Sequence, residues 1–193
     1  MSKPFVCWPV SLQIPSRKLI DPTRTALTTA AYIARTRFTG GKPEVVDFTM
    51  RGADLVARIM IQGQDAPDWL RKPYLRWVRA DEASDRTGNP KDIRCWHVVA
   101  DLPPSASEGE WIDCAKELVT LALTPTAVAD VAIHNPDDGL PHAHVVVASR
   151  IPGDHSYFGV DYDIYRALTV SLRAVWDEWL QECAGRKGIR HAA

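Results

Sequence analysis

Val128-Ala-Asp-Val-Ala-Ile-His-Asn-Pro-Asp-Asp-Gly-Leu-Pro-His-Ala-His-Val-Val-Val-Ala-Ser-Arg150 is the stretch that decides how this chain is read. Two apolar, β-branched runs, Val128 to Ile133 and Val145 to Ala148, flank a connector rich in proline, aspartate and glycine. Those residues set turn conformations, so the runs read as two strands, and a connector this short makes them an antiparallel pair. Side chains at i and i+2 of a strand share a face, so His142 and His144 project together where the second strand begins. His134 closes the first strand. Pairing the two strands gathers three imidazoles at one end of the hairpin, as a divalent ion with three nitrogen ligands and open positions demands. Pro141 helps fix the entry to the second strand, and Asp137 and Asp138 read as turn formers rather than ligands. The plain alternative is that the imidazoles only hydrogen-bond turn backbone. Three of the chain's six histidines at both mouths of one hairpin weigh against it.

Working outward, Ile93 to Leu102 is strand-like and is broken by Pro103-Pro104, after which Ser105 or Ser107 can cap a helix to about Leu123. Tyr162 to Cys183 (Leu168, Leu172, Val175, Trp176, Trp179, Leu180) has the spacing of an amphipathic helix able to cover a sheet face. In the first half, Phe5 to Ile14 reads as a strand closed by Pro15. Asp21-Pro22 offers an N-cap with proline at the first helical position, and a helix to about Arg37 follows, with Tyr32 in its later turns and Gly40-Gly41 beyond it. Glu44 to Met50 and Asp54 to Ile61 resemble two short strands joined at Arg51-Gly52. Pro67 to Asp81 has helical spacing, and Asp81 to Pro90 is the expected flexible loop. The order of elements predicts an α+β domain with a central antiparallel sheet and flanking helices. One domain over 1–193 is expected, with 1–60 carrying the Tyr32 helix and 92–183 the sheet and its histidine hairpin.

Composition fits a folded chain: 193 residues, 46% hydrophobic and 24% charged, enough for one substantial core. No run approaches the ~20 apolar residues of a membrane span, and the N-terminus lacks the apolar core of a signal peptide, so a cytoplasmic protein without membrane insertion is expected. Four scattered cysteines, Cys7, Cys95, Cys114 and Cys183, lack zinc-knuckle spacing and read as free thiols. The net charge of -1 speaks against a nucleic-acid binder, but its distribution does not. Residues 1–60 hold nine basic side chains against four acidic ones, a segment at +5. Arg17, Lys18, Arg35, Arg37, Lys42 and Arg51, with Arg150 beyond the hairpin, are the candidate phosphate contacts.

The 128–150 stretch resembles the His-x-His motif region of MobA/MobL-type plasmid mobilisation relaxases, members of the HUH endonuclease superfamily, upstream histidine included. Thr25-Ala-Leu-Thr-Thr-Ala-Ala-Tyr-Ile-Ala-Arg35 resembles that family's Ala-rich helix bearing the nucleophilic tyrosine. Weaker similarity runs through Ala66-Pro-Asp-Trp69, Leu102-Pro103 and the closing helix around Trp176, so it touches most of the chain in the family's order. The resemblance implies an HUH/RRM-like relaxase fold, Tyr32 as nucleophile, and His134, His142 and His144 as ligands of one divalent ion. Mg or Mn would serve in function, with Zn, Ni or Co compatible with three imidazoles. It further implies strand-specific nicking of single-stranded DNA at an origin of transfer through a 5′-phosphotyrosine, religation, and partners that include accessory relaxosome proteins and a coupling protein.

The chain departs from the family in one strand. Relaxases of this type carry Glu-x-Glu in the strand ending at Leu-Pro, whereas here the strand reads Cys95-Trp-His97-Val-Val99-Ala-Asp101. His97 and Asp101 are the remaining polar side chains on that face, and His97 is the candidate for orienting a ligand or accepting the tyrosine proton. Two other readings stay open. A rolling-circle replication initiator would use Tyr162 or Tyr165 after the hairpin, and a catalytically weak, metal-containing module would bind single-stranded DNA without cutting it.

Overall fold

A computed structural model describes residues 5–190 apart from 15, 18, 64, 65 and 124, with side chains to residue 184. Its centre is a five-stranded sheet of β1 (Phe5–Val10), β2 (Leu55–Ile61), β3 (Cys95–Asp101), β4 (Ala129–His134) and β5 (His142–Ala148), in spatial order β1-β3-β5-β4-β2. Every pairing is antiparallel. The predicted hairpin, β4 and β5, therefore lies in the interior of the sheet, and its β-branched residues are buried on both faces.

Alternation along the strands splits the core in two. Trp96, Val98 and Ala100 of β3, Val131 and Ile133 of β4 and Val145 and Val147 of β5 face one way. They pack beneath α3 (Glu108–Ala122) and the closing helical run, a short α-turn (Ile164–Arg166), a π-helical stretch (Ala167–Leu172) and α4 (Arg173–Arg190), through Trp111, Leu168, Leu172 and Trp176. Ser107 caps α3 in a capping box with Glu110, which resolves the choice between the two serines.

The other face holds Cys95, Ala132, Val146 and Ala148 under α1 (Ala26–Ile33) and α2 (Pro73–Asp85). The first helix is shorter than expected at both ends. Its N-cap is Thr25, whose hydroxyl accepts from Thr28 N at 3.0 Å, while Asp21 instead closes a local turn on Thr23. Asp81 is not the edge of a flexible loop: α2 continues through it to Asp85. The buried Asp81 carboxylate accepts from the N–H groups of Ala26 (2.8 Å) and Leu27 (3.0 Å) and pairs with Arg94 at 3.0 Å. Apolar spacing did not mark this because the stretch after residue 81 earns its helicity from tertiary contacts of charged side chains.

Other differences are local. The expected first strand stops at Val10, and Gln13–Ile14 turns back against Leu19–Ile20. Val45–Asp47 pairs with Arg37–Thr39 rather than with Leu55–Ile61, which instead joins the main sheet as β2 beside β4. All four cysteines are free, two of them buried. Among the described residues no helix is long and apolar enough to cross a membrane.

Candidate functional site

Sheet register assembles the site. His134 of β4 pairs with His142 of β5, Ala132 pairs with His144, and on the far side of β5 Val99 pairs with His144. His97, His134, His142 and His144 thus share the face that α1 and α2 cover. His134, His142 and His144 each offer a ring nitrogen within 4.8 Å of the others, so the structure brings together the three predicted ligands.

Two of the rings have their tautomers fixed by backbone carbonyls. A backbone carbonyl can only accept, so His134 Nε2–H donates to Ile33 O at 2.8 Å and His142 Nδ1–H donates to Leu140 O at 2.9 Å. The opposite nitrogens, His134 Nδ1 and His142 Nε2, keep lone pairs. His144 Nδ1 lies 2.9 Å from His97 Nε2, while its own Nε2 is buried with no hydrogen-bond partner. An orphaned buried nitrogen beside two further lone pairs suits a divalent cation, so the donor set fits the ion expected from the sequence. Burial, with the neighbouring histidines, lowers the His144 pKa to about 2, and burial lowers that of His97 to about 4. His134 is lowered as well, chiefly by burial. A neutral His144 ring can offer a lone pair at its unpartnered Nε2.

Tyr32 stands over this cluster. Its ring is edge-on to His144 with centroids 5.7 Å apart and edge-on to Phe48 at 5.5 Å, and the ring is half-buried. A cavity of about 280 Å³ opens beside it, lined by Trp8, Arg24, Thr28, Phe48 and His97 among others. Trp8 packs on His97 at 4.5 Å between ring centroids. A second cavity of about 810 Å³ is lined by Arg35, Arg51, Asp54, Asn135 and the turn aspartates Asp137 and Asp138, among others. Tyr165 packs against Trp96, whose side chain belongs to the opposite sheet face, and Tyr162 is 86% exposed. Asp137 and Asp138 are exposed in the turn, outside the histidine cluster.

The family matched by this fold and site is MobA/MobL, whose sequence profile fits residues 24–160. The chain belongs to the MobA/MobL family. This bears out the resemblance carried by the two motifs. Among curated proteins none matches the chain. A solved structure described under the molecular basis of vancomycin resistance transfer in Staphylococcus aureus superposes with a TM-score of 0.73 at 16% identity. The match covers 95% of this chain and 93% of that one, so this MobA/MobL member shares that protein's fold over nearly its whole length.

The basic residues of this family member divide into two groups. Arg17, Arg37, Lys42 and Arg51 are exposed, Arg37 in a loose pair with Asp47 at 3.9 Å. Arg51 lies within 6.0 Å of the Tyr32 ring centroid. Arg150 departs from the expectation of a phosphate contact: its side chain is 8% exposed, paired with Asp92 at 2.5 Å and donating to Phe158 O. A guanidinium already neutralised and buried has little left to offer a phosphate. Arg35 departs too, being 6% exposed and ion-paired with Asp54 at 2.7 Å. Lys18 falls outside the described residues. The sequence reading missed Asp54, which the Leu55–His134 pairing carries to the histidine cluster, and no local pattern marks it. The Arg35 guanidinium holds its carboxyl below the usual carboxylate range.

Proposed function

We propose that this chain nicks and religates one strand of DNA at an origin of transfer during plasmid mobilisation, with Tyr32 as nucleophile. The observation that carries this reading is the half-buried Tyr32 ring 5.7 Å from His144, on the sheet face that holds the three-histidine cluster. The phenolic oxygen bonds to phosphorus as the bond from phosphorus to the 3′ oxygen breaks. The phenolic proton leaves to solvent or a base, the 3′ oxygen departs as a hydroxyl, and the 5′ end stays joined as a phosphotyrosine. The reverse reaction religates the strand.

His134 Nδ1, His142 Nε2 and His144 Nε2 would hold the divalent ion, Mg or Mn in function and Zn, Ni or Co as substitutes. When bound, it polarises the scissile phosphate and stabilises charge on its oxygens. His97 acts in this scheme as a positioning residue. Accepting from His144 Nδ1–H, it keeps Nε2 of that ring directed at the cation, taking the place of the carboxylate that family members draw from Glu-x-Glu. Arg17, Arg37, Lys42 and Arg51 are the proposed phosphate contacts for single-stranded DNA. Accessory relaxosome proteins, a coupling protein and a cytoplasmic setting belong to the same proposal.

Incubation with Mn²⁺ and a labelled single-stranded origin-of-transfer oligonucleotide, followed by denaturing electrophoresis, tests it. A nicked product with protein on the 5′ end, mapped by peptide analysis to Tyr32, is the expected result. An adduct at Tyr162 or Tyr165 would establish the replication-initiator reading instead. Binding without any adduct would leave a metal-containing DNA-binding module.

A further inference from the structure

Arg35 sits at the joint between Tyr32 and the histidine cluster. It is a non-glycine residue at φ 48°, a left-handed conformation that persists only where the surroundings over-determine it. Its Nε and Nη2 donate to the two Asp54 carboxylate oxygens at 3.0 and 2.7 Å, and Nη1 donates to Tyr32 O at 3.0 Å. The guanidinium carbon lies 4.7 Å from the Tyr32 ring centroid. Nη2 also lies 3.2 Å from His134 Nδ1.

That last contact has a chemical consequence. His134 Nε2–H is committed to Ile33 O, so Nδ1 carries the single lone pair that this ring can give a cation. One lone pair cannot accept from Arg35 and ligate an ion together. We infer that Arg35 is a positioning residue that competes with the divalent ion for His134 Nδ1, so that metal loading and release of the guanidinium from His134 are one coupled event. Charge acts in the same direction, because a guanidinium at this distance repels a second cation. Asp54 acts in the opposite direction: its carboxylate lies 3.9 Å from His134 Nδ1, attracts the ion and keeps Arg35 anchored beside Tyr32. Drawn off Nδ1, the guanidinium stays held by the Asp54 carboxylate and Tyr32 O beside the Tyr32 ring.

This inference rests on reading the histidines as a metal cage, and calorimetric titration of the full chain with Mn²⁺ alone tests the two separately. Arg35→Met removes donor and charge, and its Mn²⁺ affinity is expected to rise about tenfold, while Asp54→Asn is expected to lower it by a similar factor. An arginine of merely structural value would make both variants weaker. Wild-type binding with no gain in a folded Arg35→Met overturns this inference alone; no wild-type binding removes the cage reading and this inference with it. A measurement on the wild type guards against a variant that fails to fold. With ¹⁵N-arginine labelling, Zn²⁺ should shift the Arg35 guanidinium resonances, and an unmoved Arg35 signal on saturation of the ion site overturns the competition.

Discussion

The Tyr32 ring stands nearly perpendicular to that of His144, at 83° with 5.7 Å between centroids, although the two residues lie on a helix and a strand far apart in sequence. Deleting only the phenolic oxygen, Tyr32→Phe should keep this packing and the metal affinity while abolishing the protein–DNA adduct. Tyr162→Phe should leave adduct formation intact. Electrophoresis of the covalent complex reads both.

Removing a ligand should be more damaging than removing the residue behind it. His134→Ala, His142→Ala and His144→Ala each leave an incomplete cage, and calorimetric titration should find Mn²⁺ binding close to lost. His97→Ala leaves the three nitrogens but frees the His144 ring to rotate, so a drop of roughly 10- to 100-fold is expected. Unchanged affinity in all four variants would overturn the cage.

Stability of the metal-free protein should fall with acid in a defined window. His97 and His144 take up protons near pH 6.5 when unfolded, but only near pH 4 and pH 2 when folded. Between pH 6.5 and 4 the unfolded chain therefore binds more protons, and the stability present above pH 6.5 declines as pH falls. The slope should be on the order of 1 kcal/mol per pH unit per group. Thermal melts from pH 7 to 4 measure it, and His97→Gln should flatten the curve.

Asp81 fixes the start of α1. Asp81→Ala leaves two helix N–H groups without their acceptor and the buried Arg94 without one of its partners, and should lower stability by about 3–5 kcal/mol in urea unfolding. Asp81→Asn, which keeps an acceptor, should be milder.

Binding to single-stranded DNA should weaken steeply with salt despite the net charge of -1. Arg37→Glu with Arg51→Glu should reduce the slope of log affinity against log salt by roughly 0.7 per lost contact. Arg150→Met should leave that slope unchanged, since its guanidinium is occupied by Asp92. Equal slopes for wild type and the Arg37/Arg51 variant, read by fluorescence anisotropy, would put the DNA on another face.

The hairpin and its three histidines were legible because they depend on short-range rules: strand alternation fixes which side chains share a face, and turn residues fix where the strands reverse. The α+β class followed from the same periodicities, and similarity along one helix singled out Tyr32 as the candidate nucleophile. Contacts between elements distant in sequence were not legible. His97 beside His144, Asp54 beside His134 and the docking of α1 through Asp81 each depend on which strands become neighbours and how a helix seats on them. Arg35 and Arg150 mark the same boundary. As sequence they are two more cations in a basic patch, and burial against Asp54 and Asp92 makes them fixed partners. Local pattern records the face a side chain takes, whereas its ionic partner is set by packing of the whole domain, which brings charges together across any length of chain.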